Sequence, residues 1–173
     1  MKKNYSIIGP SGSGKTTIGR ELSSRGYFFV DTDDKPLSSW MNIRTGKKVR
    51  QPPKPIGKKW RTAHAWVWDT DYLAELVKDE SHREAFFCGG SYNYEKVKHF
   101  FDKIFMLCVS REVLISRLQR REPNRWTDDS YELARELEDN EQLQKNMGTG
   151  ILIDGSRSVQ AVADEILKHI REA

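Results

Sequence analysis

Ser6-Ile7-Ile8-Gly9-Pro10-Ser11-Gly12-Ser13-Gly14-Lys15-Thr16-Thr17 decides the reading of this chain. An apolar run, a glycine-rich turn and a helix-compatible segment follow one another without a gap. Gly9, Gly14, Lys15 and Thr16 fit the spacing G-x-x-x-x-G-K-[ST], the phosphate-binding P-loop. A plain strand–turn–helix connection would need neither a lysine nor a threonine at these places.

The chemistry explains the residue types. A triphosphate needs several donors converging on one small volume, and backbone N–H groups supply them only where side chains stay clear. Glycine at Gly12 and Gly14 permits that approach and the positive φ angles it requires. The next helix aims its N-terminal dipole at the same phosphates. Lys15 is expected to bridge the β- and γ-phosphates of ATP, and the Thr16 hydroxyl to ligate Mg²⁺. Ser11, Ser13 and Thr17 complete the stretch assigned to the nucleotide.

Working outward, 173 residues without an obvious linker predict one domain spanning 1–173. A mean hydropathy of −0.72 describes a polar surface, and no apolar run reaches the length of a membrane span. Met1-Lys2-Lys3 leads into a strand and not a signal peptide. Cys88 and Cys108 sit in apolar runs and read as buried reduced thiols, so a cytoplasmic location is expected. The charge is segregated. Residues 35–68 hold nine Lys or Arg and no acid, while the rest carries 20 basic against 25 acidic residues. An anionic partner for that segment is the natural inference.

Asn4–Ile8 is the first predicted strand, followed by a helix from Lys15 to about Arg25 with Ile18 and Leu22 on one face. Tyr27–Val30 is the second strand. Residues 35–68 show no clean periodicity and read as a loop-rich insertion with a short helix. Helical spacing returns over Asp69–Lys78. Further strands are expected at Ala85–Cys88, Lys103–Val109 and Gly150–Ile153. Further helices are expected at Tyr92–Phe101, after Ser110, over Asp128–Lys145 and after Ser158. Pro123 should interrupt the helix after Ser110. Alternating strands and helices make an α/β protein with a parallel sheet.

Ligands of such sheets sit beyond the carboxyl ends of the strands. The second strand ends in Asp31 and Asp33, of which one could hold a water of Mg²⁺ and the other accept the proton of an attacking hydroxyl. Turn formation or helix capping is the plainer role for both. The third ends in Gly89-Gly90, where a substrate could lie against backbone or the chain simply turn. With these residues in place, the chain resembles the shikimate kinase and gluconate kinase group of the nucleoside-monophosphate kinase superfamily. The P-loop, Val30-Asp31-Thr32-Asp33 and Cys88-Gly89-Gly90 carry the likeness.

The resemblance implies a three-layer P-loop fold with a five-stranded parallel sheet in the order 2-3-1-4-5. It also implies an acceptor-binding region at 35–68 and a lid at about 117–128. Arg117 would stack on the adenine, Arg121 or Arg125 would close over the transferring phosphate, and Arg157 would lie in the loop bordering the base. Two departures stand out. Cys88 occupies the place of a Walker B carboxylate. The insertion, with Trp40, Trp60, Trp66 and Trp68 among Arg44, Lys47, Lys48, Arg50 and Arg61, differs from a shikimate-binding region.

The leading expectation is an ATP- and Mg²⁺-dependent kinase acting on a nucleoside, nucleotide or phosphorylated metabolite. Asp33, Arg61, Gly89 and Gly90 then face the acceptor, with Arg61 able to pair with phosphate. A second reading makes the insertion a nucleic-acid surface and the P-loop a regulatory ATPase. Residues 128–141, with seven acids and one base, could instead dock on the insertion and neutralise it. A nucleotide-binding protein without transfer activity is the third.

Overall fold

Lys3–Ile8 (β1) is buried from Asn4 to Ile7 on both faces, as the middle strand of a parallel sheet must be. The computed structural model describes residues 2–34, 36–53, 56–122, 126–127, 130–145 and 150–172. After β1 come α1 (Lys15–Ser24), β2 (Phe28–Asp31), β3 (Ser38–Asn42), β4 (Lys48–Val49), α2 (Lys58–Ala63) and β5 (His64–Trp68). The chain continues with α3 (Thr70–Lys78), β6 (Glu84–Cys88), α4 (Tyr94–Val97) and β7 (Lys103–Cys108). It closes with α5 (Arg111–Arg121), α6 (Tyr131–Lys145), β8 (Ile151–Asp154) and α7 (Val159–Arg171).

Five strands form one parallel sheet in the order β2-β6-β1-β7-β8. Numbered within that sheet, this is 2-3-1-4-5, as the resemblance implies. Side-chain alternation divides the core in two. Tyr5, Ile7, Phe86, Phe105 and Ile153 pack under Ile18 and Leu22 of α1 and Val162, Ala163, Ile166 and Leu167 of α7. Ala85, Phe87, Ile104 and Met106 face the other way, against Leu73 and Val77 of α3 and against Trp68, Val97 and Phe101. Each fully buried aliphatic or aromatic side chain contributes roughly 1.5–3 kcal/mol. Gly19 lets α1 come this close to the sheet: a Cβ there would stand 2.1 Å from the Phe29 ring. Among the described residues no helix is long and apolar enough to cross a membrane.

The insertion differs from expectation. It is not merely loop and short helix; β3, β4 and β5 make a separate antiparallel sheet in the order β4-β3-β5, with α2 between β4 and β5. Trp40 lies directly opposite Trp66 across β3 and β5. The Asn42 side chain, accepting from Arg44 N and Thr45 N, builds the turn into β4, and Gly46 completes it with a φ of 65°. The ends of the insertion meet, since Asp69 N donates to Leu37 O at 2.7 Å.

A second difference is local. The predicted helix over Tyr92–Phe101 is shorter, α4 followed by one 3₁₀ turn at Lys98–Phe100. Asn93 explains it: its amide group bonds the N–H and the C=O of Trp68 at 3.0 and 2.9 Å, which ties this stretch to β5.

Candidate active site

The carboxyl ends of β1, β2 and β6 lie side by side, with Ile7 paired to Cys88 and Cys88 to Asp31. Everything that leaves those ends therefore shares one crevice. The P-loop leaves β1. Gly12 and Gly14 adopt φ values of 82° and 108°, which side chains resist. Gly14 precedes α1 without a capping side chain, leaving first-turn N–H groups to an anion. The Lys15 ammonium folds back onto the loop and donates to Gly9 O and Pro10 O at 2.8 Å each. Burial lowers its pKa, while Glu136, Asp33, Cys88 and Asp31 act in the opposite sense. Ser13 is buried beneath the loop, and Thr17 is exposed.

Asp31 and Asp33 both reach this crevice. Thr16 Oγ1 donates to Asp31 Oδ2 at 3.0 Å, joining the first helical turn to the end of β2. Asp33 N donates to the other oxygen of Asp31 at 3.1 Å. The Asp33 carboxyl accepts the indole N–H of Trp66 at 2.9 Å. It keeps contact with solvent, yet desolvation against the crevice wall raises its pKa, opposed by the Trp66 bond and the Lys15 charge. The oxygen pair of Thr16 and Asp31 suits a hard cation such as Mg²⁺, which takes one or two protein oxygens beside water and phosphate. Cys88 is buried, and desolvation pushes its thiol well up, so it offers no anionic ligand there.

The two glycines after β6 separate in role. A Cβ on Gly89 would collide with Thr32 Oγ1 at 1.9 Å, so close packing alone demands this glycine. A Cβ on Gly90 would meet nothing within 4 Å. The surface beside Gly90 is open.

In the insertion, indoles and cations part company. Trp40 packs edge-on against Trp60 and tilted against Trp66, with ring centroids 4.9 and 5.3 Å apart, and Trp60 stacks on His64. Arg44, Lys47, Lys48, Arg50, Lys58 and Lys59 are exposed. Arg61 alone among these cations turns inward, over the Trp40 ring at 4.8 Å and onto Glu132 at 2.8 Å.

Arg117, Arg120 and Arg121 of the expected lid, at i, i+3 and i+4 along α5, differ in exposure. Arg117 points at the loop and donates to Ser13 O at 3.1 Å, Gly12 O at 3.4 Å and Gly155 O at 3.0 Å. It ties the P-loop to the turn after β8. Arg120 and Arg121 are exposed, with Arg121 3.8 Å from Glu122. Arg125 lies outside the described residues, as does Pro123. Trp126 is buried with Leu114, Leu118, Leu133 and Leu137, so that part of the segment is packed. Arg157 is ion-paired with Glu165 of α7.

Sequence reasoning missed one helix face. Glu132, Glu136 and Asn140 recur every four residues along α6 and therefore lie on one side. Glu132, buried, accepts from Arg61 and from Ile56 N. Glu136 accepts from Ser11 N of the P-loop at 2.6 Å. Asn140 bonds Val109 N and O at the end of β7. The i, i+4, i+8 spacing of polar residues was the available signal. The acidic helix does dock on the insertion, through Glu132.

A family model described as an AAA domain matches residues 6–143. An uncharacterised protein of Bacillus subtilis (strain 168), YqaC, is 29% identical over 73% of this chain, which spans only 60% of that protein's length. A shikimate kinase of Shewanella frigidimarina is 25% identical, with 98% of this chain and 97% of the relative covered. Among solved structures, the shikimate kinase of Acinetobacter baumannii in complex with shikimate superposes with a TM-score of 0.60 at 22% identity. That match covers 99% of this chain and 94% of the other. At that identity the superposition shows a shared fold.

Proposed function

The chain belongs to the AAA domain family, and from that premise we propose that it is a kinase moving the γ-phosphoryl of ATP to a small acceptor. The convergence of Lys15, Thr16, Asp31 and Asp33 on one crevice carries the reading. The loop from Gly9 to Thr17 cradles the phosphates, with Ser11, Gly12, Ser13, Gly14 and Lys15 closest to them. Thr16 and Asp31 would hold Mg²⁺, which would supply positive charge to offset that of the phosphates. Arg117, bonded to the P-loop, would face the nucleotide, and Arg157 would border its base. Arg121 and Arg125 are the cations a closing lid would bring over the transferring group. Asp33, opposite Lys15, orients the acceptor hydroxyl and takes its proton.

The acceptor enters beside Gly89 and Gly90, between Asp33 and the aromatic face of β3 and β5. Trp66 beside Asp33 and Arg61 over Trp40 suit a flat, anionic molecule, and so favour a nucleoside, nucleotide or phosphorylated metabolite. Trp40, Trp60 and Trp66 are half-buried and packed on one another while the surrounding cations are exposed, which counts against a single-strand platform that needs free ring faces beside its cations. The free thiols Cys88 and Cys108 suit a reducing compartment, and we place the enzyme in the cytoplasm.

The test is ADP release from ATP and Mg²⁺ against a panel of nucleosides, nucleotides, sugars, sugar acids and short oligonucleotides. Lys15→Ala serves as the blank. Acceptor-dependent turnover abolished in the blank is expected. Slow hydrolysis indifferent to every acceptor would overturn the transfer reading and favour a regulatory ATPase.

A further inference from the structure

A carboxylate in contact with a P-loop runs against the function of that loop. The P-loop collects N–H groups for phosphate oxygens, and Glu136 Oε2 takes one of them, Ser11 N, at 2.6 Å. The distance is that of a charge-assisted hydrogen bond. Lys15 meanwhile spends two of its donors on Gly9 O and Pro10 O. Glu136 is the largest source of negative charge acting on that lysine.

We propose that Glu136 is a resident anion of the nucleotide site: its carboxylate holds the P-loop while nucleotide is absent and has to leave when phosphate binds. The inference rests on the P-loop being the nucleotide site, as argued above. Three observations support it. First, Glu136 is delivered by a fixed helix. One turn before it, Glu132 is anchored to Arg61 and Ile56 N; one turn after it, Asn140 is anchored to Val109. The backbone of α6 is therefore held at both ends while the Glu136 side chain keeps its own rotatable bonds. Second, the charged groups facing Glu136 are Lys15, Arg61 and Asp139, and no arginine or lysine bonds its carboxylate among the described contacts. Its direct partner is a neutral N–H that a phosphate oxygen would also use. Third, the site disfavours the charge it holds. Desolvation raises the Glu136 pKa, and only the Ser11 N–H, Lys15 and Arg61 compensate. Such an occupant is readily exchanged for a ligand that brings several negative oxygens and its own cation.

A residue that merely packs α6 against the loop would not oppose nucleotide; a competing anion would. Removing the carboxylate should therefore tighten nucleotide binding. The experiment is calorimetric titration of the full chain with ADP and with ATP, each with Mg²⁺, comparing wild type, Glu136→Ala and Glu136→Gln. Glu136→Ala should bind both nucleotides at least tenfold more tightly, and Glu136→Gln, which keeps the hydrogen bond and loses the charge, should fall between. Amide hydrogen exchange gives a readout free of nucleotide: Ser11 N–H should exchange faster in Glu136→Ala than in wild type, and slow again once ADP is added. If Glu136→Ala failed to fold, Glu136→Gln alone would still decide by the sign of its shift. Unchanged or weaker affinity in the folded variants would overturn the proposal while leaving the kinase reading intact. Absence of nucleotide binding in wild type and variants alike would overturn both.

Discussion

The indole of Trp66, on edge strand β5 of the antiparallel insertion, donates its N–H to the carboxylate of Asp33, just past the end of parallel strand β2, across 2.9 Å. One side chain thus joins the antiparallel insertion to the group proposed as base. Asp33→Asn should leave ATP binding within about twofold and lower transfer by roughly a hundredfold or more, the usual contribution of a positioned base. Trp66→Phe keeps the ring and removes the donor. It should reduce kcat about tenfold with little change in the Kd for ATP. Steady-state kinetics beside nucleotide titration separates the two effects, and full activity in Asp33→Asn with every working acceptor would remove its catalytic role.

Gly19 sits inside α1, where glycine is ordinarily about 1 kcal/mol worse than alanine. Gly19→Ala should nonetheless destabilise, by roughly 1–3 kcal/mol, because the new methyl would overlap the Phe29 ring. Adding Phe29→Leu should restore part of the loss. Urea denaturation of the single and double variants measures both.

Arg61 and Glu132 form a buried ion pair, with their side chains 16% and 3% exposed. Removal of one partner strands the other, which typically costs about 3–5 kcal/mol when nothing else compensates. Glu132 keeps its contact with Ile56 N and Arg61 is partly exposed, so Arg61→Ala is expected to cost about 2 kcal/mol, below that range. Arg44→Ala, in the exposed turn, should stay within about 0.5 kcal/mol. Equal effects in denaturation would mean that the pair adds nothing to stability.

Glu136 makes stability depend on pH in a defined direction. Its folded-state pKa lies above the unfolded one, so the folded chain holds the proton more tightly. The associated stability is fully present below the ordinary glutamate pKa and is lost as pH rises through the raised folded value. Glu136→Gln removes this loss. The variant should therefore melt higher than wild type at pH 7, with the difference shrinking as pH falls to 4. Thermal melts in nucleotide-free buffer check the sign.

The nucleotide half was legible because its signals are local. Gly12, Gly14, Lys15 and Thr16 are neighbours in sequence, and the parallel sheet follows from strands and helices that alternate. Asp31 needed one step more, and its bond to Thr16 spans only 15 residues. The antiparallel insertion was illegible for the opposite reason. Asn42 pairs with His64 across a segment of loops and cations, and single strands as short as β4 carry no period of their own. Glu136 lies 125 residues from Ser11. The spacing of Glu132, Glu136 and Asn140 marks a polar helix face, but no spacing rule names a partner that far away.

The antiparallel insertion lies between β2 and α3, and a backbone hydrogen bond from Asp69 N to Leu37 O clasps its two ends together. A segment whose ends already touch can be lengthened, shortened or exchanged without moving the strands on either side. The P-loop sheet and the antiparallel insertion are therefore structurally separable pieces. Transplanting the 38–68 cassette into another chain of this architecture is accordingly the direct test of whether the proposed acceptor segment carries acceptor preference with it.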